Sequence, residues 1–324
     1  MTAPLLTVTD LEVTFKIRRG LLRPTRKLRA VNGVSFHIEP GETLAVVGES
    51  GSGKSTVARA VMRLLEPSRG SIHLDGDDIS AMKGEALRRI RPKLQMVFQD
   101  PYSSLDPSMI IADVVGEPLT VHGVATGAER DRRVQDLLEQ VGLGRYHMNR
   151  YPHEFSGGQR QRIAIARAIA LEPKLLVLDE AVSALDVSTQ NQILNLLEDL
   201  RRELGIAYLF ISHDLGVVEH IADRVAVTYL GRIVEEGPTE RVFAKPAHPY
   251  TEALLSAVPV PNPRIQRSRQ RIVLPGDVPS PLAPPSGCPF HTRCPHVMDV
   301  CRGEMPSHES VADGGSVACY LGRV

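Results

Sequence analysis

The chain has 324 residues, 42% of them hydrophobic, enough to bury one large domain with an appendage or two domains. Its 38 Lys and Arg balance 38 Asp and Glu for a net charge of +0, which excludes a protein whose whole surface tracks nucleic acid. No apolar run approaches the ~18 residues that span a bilayer, and Met1-Thr2-Ala3-Pro4 lacks the basic region and apolar core of a signal peptide. A cytosolic protein is expected, one able to dock on a membrane protein.

Leu5 to Ile17 alternates as a strand does, with Val8, Leu11, Val13 and Phe15 as points of burial. Lys16 to Arg29 then carries seven basic residues and no acidic one. It reads as a solvated hairpin loop, or as a contact for phospholipid or a partner. Val31 to Ile38 is a second strand, and Pro40-Gly41 turns the chain into the apolar run Leu44 to Val47.

Gly48-Glu49-Ser50-Gly51-Ser52-Gly53-Lys54-Ser55 follows that run and fits G-x-x-x-x-G-K-[ST], with Thr56 to Leu65 helical after it. Each residue type has a task in such a loop. The glycines let successive N–H groups turn toward one anion. The helix that starts near Gly53 adds its positive end. Lys54 brings a full charge to the β- and γ-phosphates, and the Ser55 hydroxyl is suited to Mg²⁺.

Ser71 to Leu74 is a strand before the turn Asp75-Gly76. Leu94 to Gln99 is a strand ending on a glutamine, followed by a polar, Pro-interrupted loop from Asp100 to Ser108. Helices are expected at Ile111 to Glu117 and at Ala128 to Val141, the latter from Val134, Leu137, Leu138 and Val141 at helical spacing. Phe155-Ser156-Gly157-Gly158-Gln159 opens another helix. Leu175 to Leu178 is apolar without alternation, as a strand buried on both faces is, and it ends on Asp179-Glu180. Asn191 to Leu204 is helical, Ala207 to Ile211 is a second buried strand ending at Ser212-His213-Asp214, and Val225 to Tyr229 with Arg232 to Val234 make a hairpin. Nine prolines between Pro259 and Pro289 mark a loop-rich tail.

Strands that end in polar chemistry and alternate with helices give an α/β fold with a parallel sheet and a site at the strand C-termini. Asp179 fits the carboxylate that holds Mg²⁺ through water, and Glu180 the group that polarises an attacking water. An Asp-Glu pair there also suits a structural helix cap, and Ser156-Gly157-Gly158 alone suits an ordinary N-cap.

Taken together, the phosphate loop, Gln99, Phe155 to Gln159, Asp179-Glu180, Ser183-Ala184-Leu185-Asp186 and His213 resemble, in order and spacing, the ATP-binding-cassette ATPases. Val97 to Pro107, Ile211 to Leu215, His248-Pro249-Tyr250-Thr251 and the Cys-bearing tail look like the ATP-binding subunits of oligopeptide/dipeptide importers. The resemblance spans essentially the whole chain. It implies a P-loop NTPase core with a mainly parallel sheet and helices on both faces. To this are added an antiparallel β subdomain, a helical signature subdomain over about 100–170 and a small Cys-containing tail. The nucleotide-binding domain would cover 1–257 and the C-terminal domain 258–324.

By the same resemblance the chain is an ATPase that energises uptake of oligopeptides or dipeptides, with glutathione, nickel chelates or another small solute as alternatives, and a soluble non-transport cassette as a rival of another class. ATP and Mg²⁺ are the cofactors. Gly48, Glu49, Ser50, Gly51, Ser52, Gly53, Lys54, Ser55 and Thr56 would hold the phosphates. Ser55, Gln99 and Asp179 would hold Mg²⁺, and Glu180, His213 and Gln99 would carry the chemistry. Phe15 is similar to the aromatic that stacks on adenine, and suits a strand core equally. Ser156, Gly157, Gly158 and Gln159 would face the nucleotide of a second cassette, a related chain giving a heterodimer, with Asp186 at that interface. Tyr102 to Pro107 would face two membrane-spanning permease subunits at the cytoplasmic face of the membrane. An extracytoplasmic binding protein acts indirectly, and no nucleic acid is involved. Two positions depart from the usual pattern: Ala181 stands where Pro is common, and Phe155 where Leu is common.

All four cysteines lie in the tail, spaced Cys288-x5-Cys294-x6-Cys301-x17-Cys319. A 4Fe–4S cluster, known in members of this importer group, a zinc site and unliganded thiols are the three readings, a disulfide being disfavoured in a cytosolic chain.

Overall fold

The computed structural model of the protein describes residues 3–17, 26–100, 102, 104–259, 262–268 and 270–323. The chain runs β1 (Leu6–Ile17), β2 (Arg26–Ile38), β3 (Thr43–Val47), α1 (Lys54–Val61), β4 (Arg69–Leu74), β5 (Asp77–Asp78), α2 (Gly84–Ile90) and β6 (Leu94–Val97). It continues through α3 (Ile111–Val121), α4 (Gly127–Gln140), α5 (Gly157–Ile169), β7 (Leu175–Asp179), α6 (Val187–Leu204), β8 (Ala207–Ser212), α7 (Leu215–Ile221) and β9 (Arg224–Tyr229). The last elements are β10 (Arg232–Pro238), α8 (Thr239–Ala244), α9 (Pro249–Ser256), α10 (Pro263–Ser268), α11 (Asp299–Gly303), β11 (Glu309–Ser310) and β12 (Ser316–Val317). These residues form two compact units, one of 1–5, 38–42 and 81–211, the other of 6–37, 43–80 and 212–324.

In the first unit β6, β7 and β8 run parallel, with Leu94 opposite Leu175 and Leu175 opposite Ala207. Every residue of β7 and β8 is buried, as their unbroken apolar runs require. Helices α3, α4 and α5 pack on one another and bury Ile111, Val115 and Leu119 with Val134, Leu138, Ile163 and Ile169. The expected end of α3 at Glu117 is overrun: Pro118 lies inside the helix, which continues to Val121. A proline removes one ladder bond and crowds the preceding turn. Leu119, fully buried just beyond it, supplies the packing that keeps the last turn helical. Helix α6 starts at Val187 rather than Asn191, because the Asp186 carboxylate accepts the N–H groups of Ser188 and Thr189 as an N-cap.

The second unit holds an antiparallel sheet in the order β2-β1-β4-β5, with Leu6 opposite Leu74 and Val8 opposite Ile72. Strand β2 begins at Arg26, so the end of the basic stretch is strand, not loop; residues 18–25 of that stretch lie outside the described residues. Strand β3 lies parallel to β9, with Val47 opposite Val227. Strands β9 and β10 form the expected hairpin, and its turn residues Leu230 and Gly231 both have positive φ, 46° and 76°, as a type I′ turn needs. The tail adds β12 antiparallel to β10, Val317 opposite Glu235, and β11 antiparallel to β12. The architecture is α/β with parallel and antiparallel strands and a separate antiparallel sheet. Among the described residues, no helix is long and apolar enough to cross a membrane.

Candidate nucleotide site

The phosphate loop leaves β3, all five residues of which are buried, and enters α1 at Lys54, directly after Gly53. Gly48 and Gly53 are obligatory for two reasons. Gly48 and Gly53 have φ of 152° and 102°, and a Cβ on them would lie 2.2 Å from the Thr228 carbonyl oxygen and 2.3 Å from that of Ala30. The loop is therefore pressed onto the β9–β10 hairpin and onto the β2 backbone at Ala30. Ser52 Oγ lies 3.1 Å from Thr228 Oγ1, which donates to the Val47 carbonyl, and the Gly231 N–H donates to the Ser52 carbonyl. The Lys54 side chain is 5% exposed and donates from Nζ to the carbonyls of Gly48, at 2.8 Å, and Glu49, at 3.1 Å. Its charge is thus held inside the loop.

Glu49 is held differently from the simple cradle expected. Its N–H donates to Tyr250 Oη at 2.9 Å, so it is committed to a side chain. Its carboxylate accepts from Arg293 at 2.8 and 3.4 Å. In the same unit, Phe15 lies in β1 and is only partly buried, unlike Val13 beside it, so its ring is not consumed by the strand core. His213 follows β8 and is exposed.

In the first unit, Asp179 ends β7 and is 3% exposed. Glu180 takes φ 50°, a left-handed backbone uncommon for a side-chain-bearing residue. Its N–H donates to the Ile211 carbonyl at 3.0 Å, and its own carbonyl accepts from Ser183 Oγ at 2.9 Å. Gln99, which lies two residues beyond the end of β6, donates from Nε2 to Glu180 Oε2 at 2.8 Å. Two residues marked out by the sequence for one chemical step are therefore in contact. The buried Ala181 follows without disturbing this turn.

Ser156 caps α5: its hydroxyl accepts the Gln159 N–H at 3.3 Å while Gln159 Oε1 accepts the Ser156 N–H at 3.0 Å. An accepting hydroxyl still has its own O–H to give. Gly158 is demanded by packing, since a Cβ there would meet Thr189 Cγ2 at 2.3 Å, where α5 passes α6. Helix α5 also grips the loop after Gln99. The Arg160 guanidinium stands 4.0 Å over the Tyr102 ring, and Arg167 donates to the Ser104 carbonyl at 2.9 Å. Pro101 and Ser103 lie outside the described residues, and Leu105 is buried, so this segment is not uniformly presented outward.

The four cysteines line one cavity with His248 and Phe290, and none is paired in a disulfide. Burial, with a smaller contribution from the other three thiols, pushes the Cys288 thiol up to about 11. Among the described residues, no group of three or more His, Cys, Asp or Glu side chains is placed to hold a metal ion. Neither the expected 4Fe–4S cluster nor the zinc alternative finds support in this arrangement.

Comparison with known proteins decides the family. The ABC transporter family matches residues 31–183, and the oligopeptide/dipeptide transporter C-terminal region matches 234–301. The probable peptide ABC transporter ATP-binding protein y4tS of Sinorhizobium fredii is 52% identical over 99% of this chain and 91% of its own length. The oligopeptide transport ATP-binding protein AppF of Bacillus subtilis is 50% identical over 98% and 97%. The chain belongs to the ATP-binding subunits of peptide ABC transporters. In structure, it resembles the dimeric, post-hydrolysis ATP-binding cassette MJ0796 bound to ADP and Pi, with a TM-score of 0.64 and 30% identity over 72% of this chain and 98% of that one.

The ABC subunit is an ATPase, and its family works with membrane-spanning permease subunits and as paired cassettes. Sequence reasoning about this cassette missed Thr228, Tyr250 and Arg293, which hold the phosphate loop. Tyr250 lies within the recognisable His248-Pro249-Tyr250-Thr251 run, and Arg293 stands beside Cys294; neither position announces a contact with a loop some two hundred residues earlier.

Proposed function

We propose that the chain energises import of oligopeptides or dipeptides from the cytoplasmic face of the membrane, paired with a related cassette and docked on two permease subunits. The extracytoplasmic binding protein selects the cargo and acts on this chain only through the permease. One observation carries the peptide reading: residues 234–301 match the oligopeptide/dipeptide transporter C-terminal region, a segment that also supplies Tyr250 and Arg293 to Glu49 of the phosphate loop.

The roles follow from residue chemistry. Lys54 and the loop amides from Gly48 to Thr56, other than that of Glu49, bind phosphates, and Ser55, Gln99 and Asp179 serve Mg²⁺. Glu180 is the general base, oriented by Gln99, with His213 at the γ-phosphate and Phe15 against adenine. Ser156 to Gln159 serve the partner cassette's nucleotide, with Asp186 beside them. Residues 1–257 act as the nucleotide-binding domain, with its helical part over about 100–170, and 258–324 as the C-terminal domain.

Cys288, Cys294, Cys301 and Cys319 are assigned to a 4Fe–4S cluster. A cubane takes one thiolate at each iron and so needs four thiols around one cavity rather than four on one ion. Bound there, the cluster would cross-link the loops that carry Cys288, Cys294, Cys301 and Cys319. The test is affinity purification of the chain from membranes, followed by reconstitution of the recovered permease in vesicles. Recovery of a peptide permease and ATP-dependent uptake of labelled di- to pentapeptides is expected. Uptake of glutathione or a nickel chelate with no peptide uptake would move the cargo, and recovery of no permease would overturn the transport reading.

A further inference from the structure

We infer that Arg293, in the cysteine-bearing tail, is a positioning residue for the phosphate loop, acting through Glu49 on Lys54, a reading that rests on the proposed role of Lys54 as a phosphate ligand. Glu49 is fixed at every polar group it has. Its N–H goes to Tyr250 Oη, its carbonyl accepts from Lys54 Nζ, and its carboxylate takes the two-pronged contact from Arg293. The same ammonium is held by the Gly48 carbonyl, so the orientation of the 48–49 peptides sets where the Lys54 charge sits.

The clamp is itself braced. Tyr250 is fully buried, edge-on to Tyr229 with ring centres 4.7 Å apart, and 5.4 Å from Phe290. The Arg293 N–H donates to the Phe290 carbonyl at 2.9 Å, so the tight turn 290–293 that presents the guanidinium is anchored on the same aromatic cluster. Arg293 is 7% exposed. Its Nε and the Tyr229 hydroxyl are buried without a hydrogen-bond partner, so Glu49 is what chiefly satisfies the side chain. Burial works against the Arg293 charge, but the Glu49 carboxylate outweighs it and raises the guanidinium's affinity for its proton. A planar fork matched to a carboxylate fixes direction as well as distance, which a point charge does not.

A buried pair that only ties the tail to its unit would act on stability. A positioning pair acts on nucleotide as well, and the two separate experimentally. In the full-length chain, Arg293→Gln is expected to raise the ATP KM and the Kd for a fluorescent ATP analogue about tenfold, with kcat changed less than about twofold. Arg293→Lys should recover part of the loss. The neutral double variant Glu49→Gln with Arg293→Gln removes both charges and so relieves the unpaired buried charge; its melting temperature should return toward wild type while KM stays raised. An ATP KM of Arg293→Gln within twofold of wild type would overturn the proposal. So would a double variant in which KM and melting temperature recover together.

Discussion

The side-chain amide of Gln99 donates to the carboxylate of Glu180, Nε2 to Oε2 at 2.8 Å. The backbone of Glu180 sits in the left-handed region, tied at its N–H to Ile211 and at its carbonyl to Ser183. The turn therefore aims the carboxylate by more than rotamer choice, and Gln99 reads its orientation. A non-glycine residue in this backbone region costs about 1 kcal/mol or more and persists where the surroundings impose it.

Glu180→Gln keeps the shape and the contact partner but cannot take a proton. ATP turnover should fall ~10²–10⁴-fold. Affinity for ATP should stay near wild type, because no phosphate ligand is removed. Steady-state phosphate release and nucleotide binding on the same preparation check this; turnover within a few-fold of wild type would remove Glu180 from the role.

Tyr102 is 64% exposed, and Arg160 of α5 lies over its ring. Tyr102→Ala should cost little stability, since an exposed cation–π contact is worth about 0.5–1 kcal/mol. Vesicle transport should suffer more than ATP affinity, because the residue is assigned to the permease contact. Leu105→Ala, by contrast, should lower stability first, as that side chain is buried. Normal transport by the Tyr102 variant would withdraw the segment from the permease contact.

Glu235 is fully buried in β10 and accepts from Arg241. It also accepts the N–H groups of Ala247 and His248, at 2.9 Å for both. Arg241 also donates to the Gly314 carbonyl at 3.1 Å, so the pair joins β10, α8 and the turn before β12. Arg241→Ala leaves a buried carboxylate without its cation and should destabilise the fold by about 3–5 kcal/mol. Urea denaturation measures it, and a loss below about 1 kcal/mol would show that water or a rearranged cation replaces Arg241.

Single Cys→Ser changes at Cys288, Cys294, Cys301 and Cys319 should each lower iron and acid-labile sulfide in anaerobically purified protein, from about four of each per chain. The brown absorbance should bleach in parallel. Colourless anaerobic wild-type protein without iron would withdraw the cluster. ATPase activity should fall less than iron content, as phosphoryl transfer needs no electrons.

Much of the candidate site was legible because its residues fall in short contiguous stretches. Gly48 to Ser55 carries both its turn geometry and its charge, and Leu175 to Glu180 carries both burial and the carboxylates. Ser156 to Gln159 was legible too, although the structure adds that Gly158 is small because Thr189 presses on it. Thr228, Tyr250 and Arg293 were not, since what matters in them is a contact made across long stretches of chain, and a hydroxyl or guanidinium has no period to betray it. Helices α2, α7, α8 and α9 were missed for a related reason. Each spans six to eight residues, about two turns, too few for an apolar stripe to repeat. Local caps were the available signal: Asp214 accepts from the N–H groups of Gly216 and Val217, and His248 with Pro249 opens α9. The α3 boundary failed the other way, where Pro118 argued for a stop that buried Leu119 overrode.

The pairing of β12 on β10 sets a clock on biosynthesis. Strand β10 ends at Pro238, and the segment that covers its edge, Ser316–Val317, emerges about eighty residues later. At about 5–20 residues per second, that leaves the strand edge uncovered for roughly 4–16 s on each nascent chain. An uncovered edge is a template for pairing with another chain. Crowded polysomes making this subunit thus offer neighbouring chains the same open edge at the same moment, and the last stretch of the tail acts as the protection that ends the exposure.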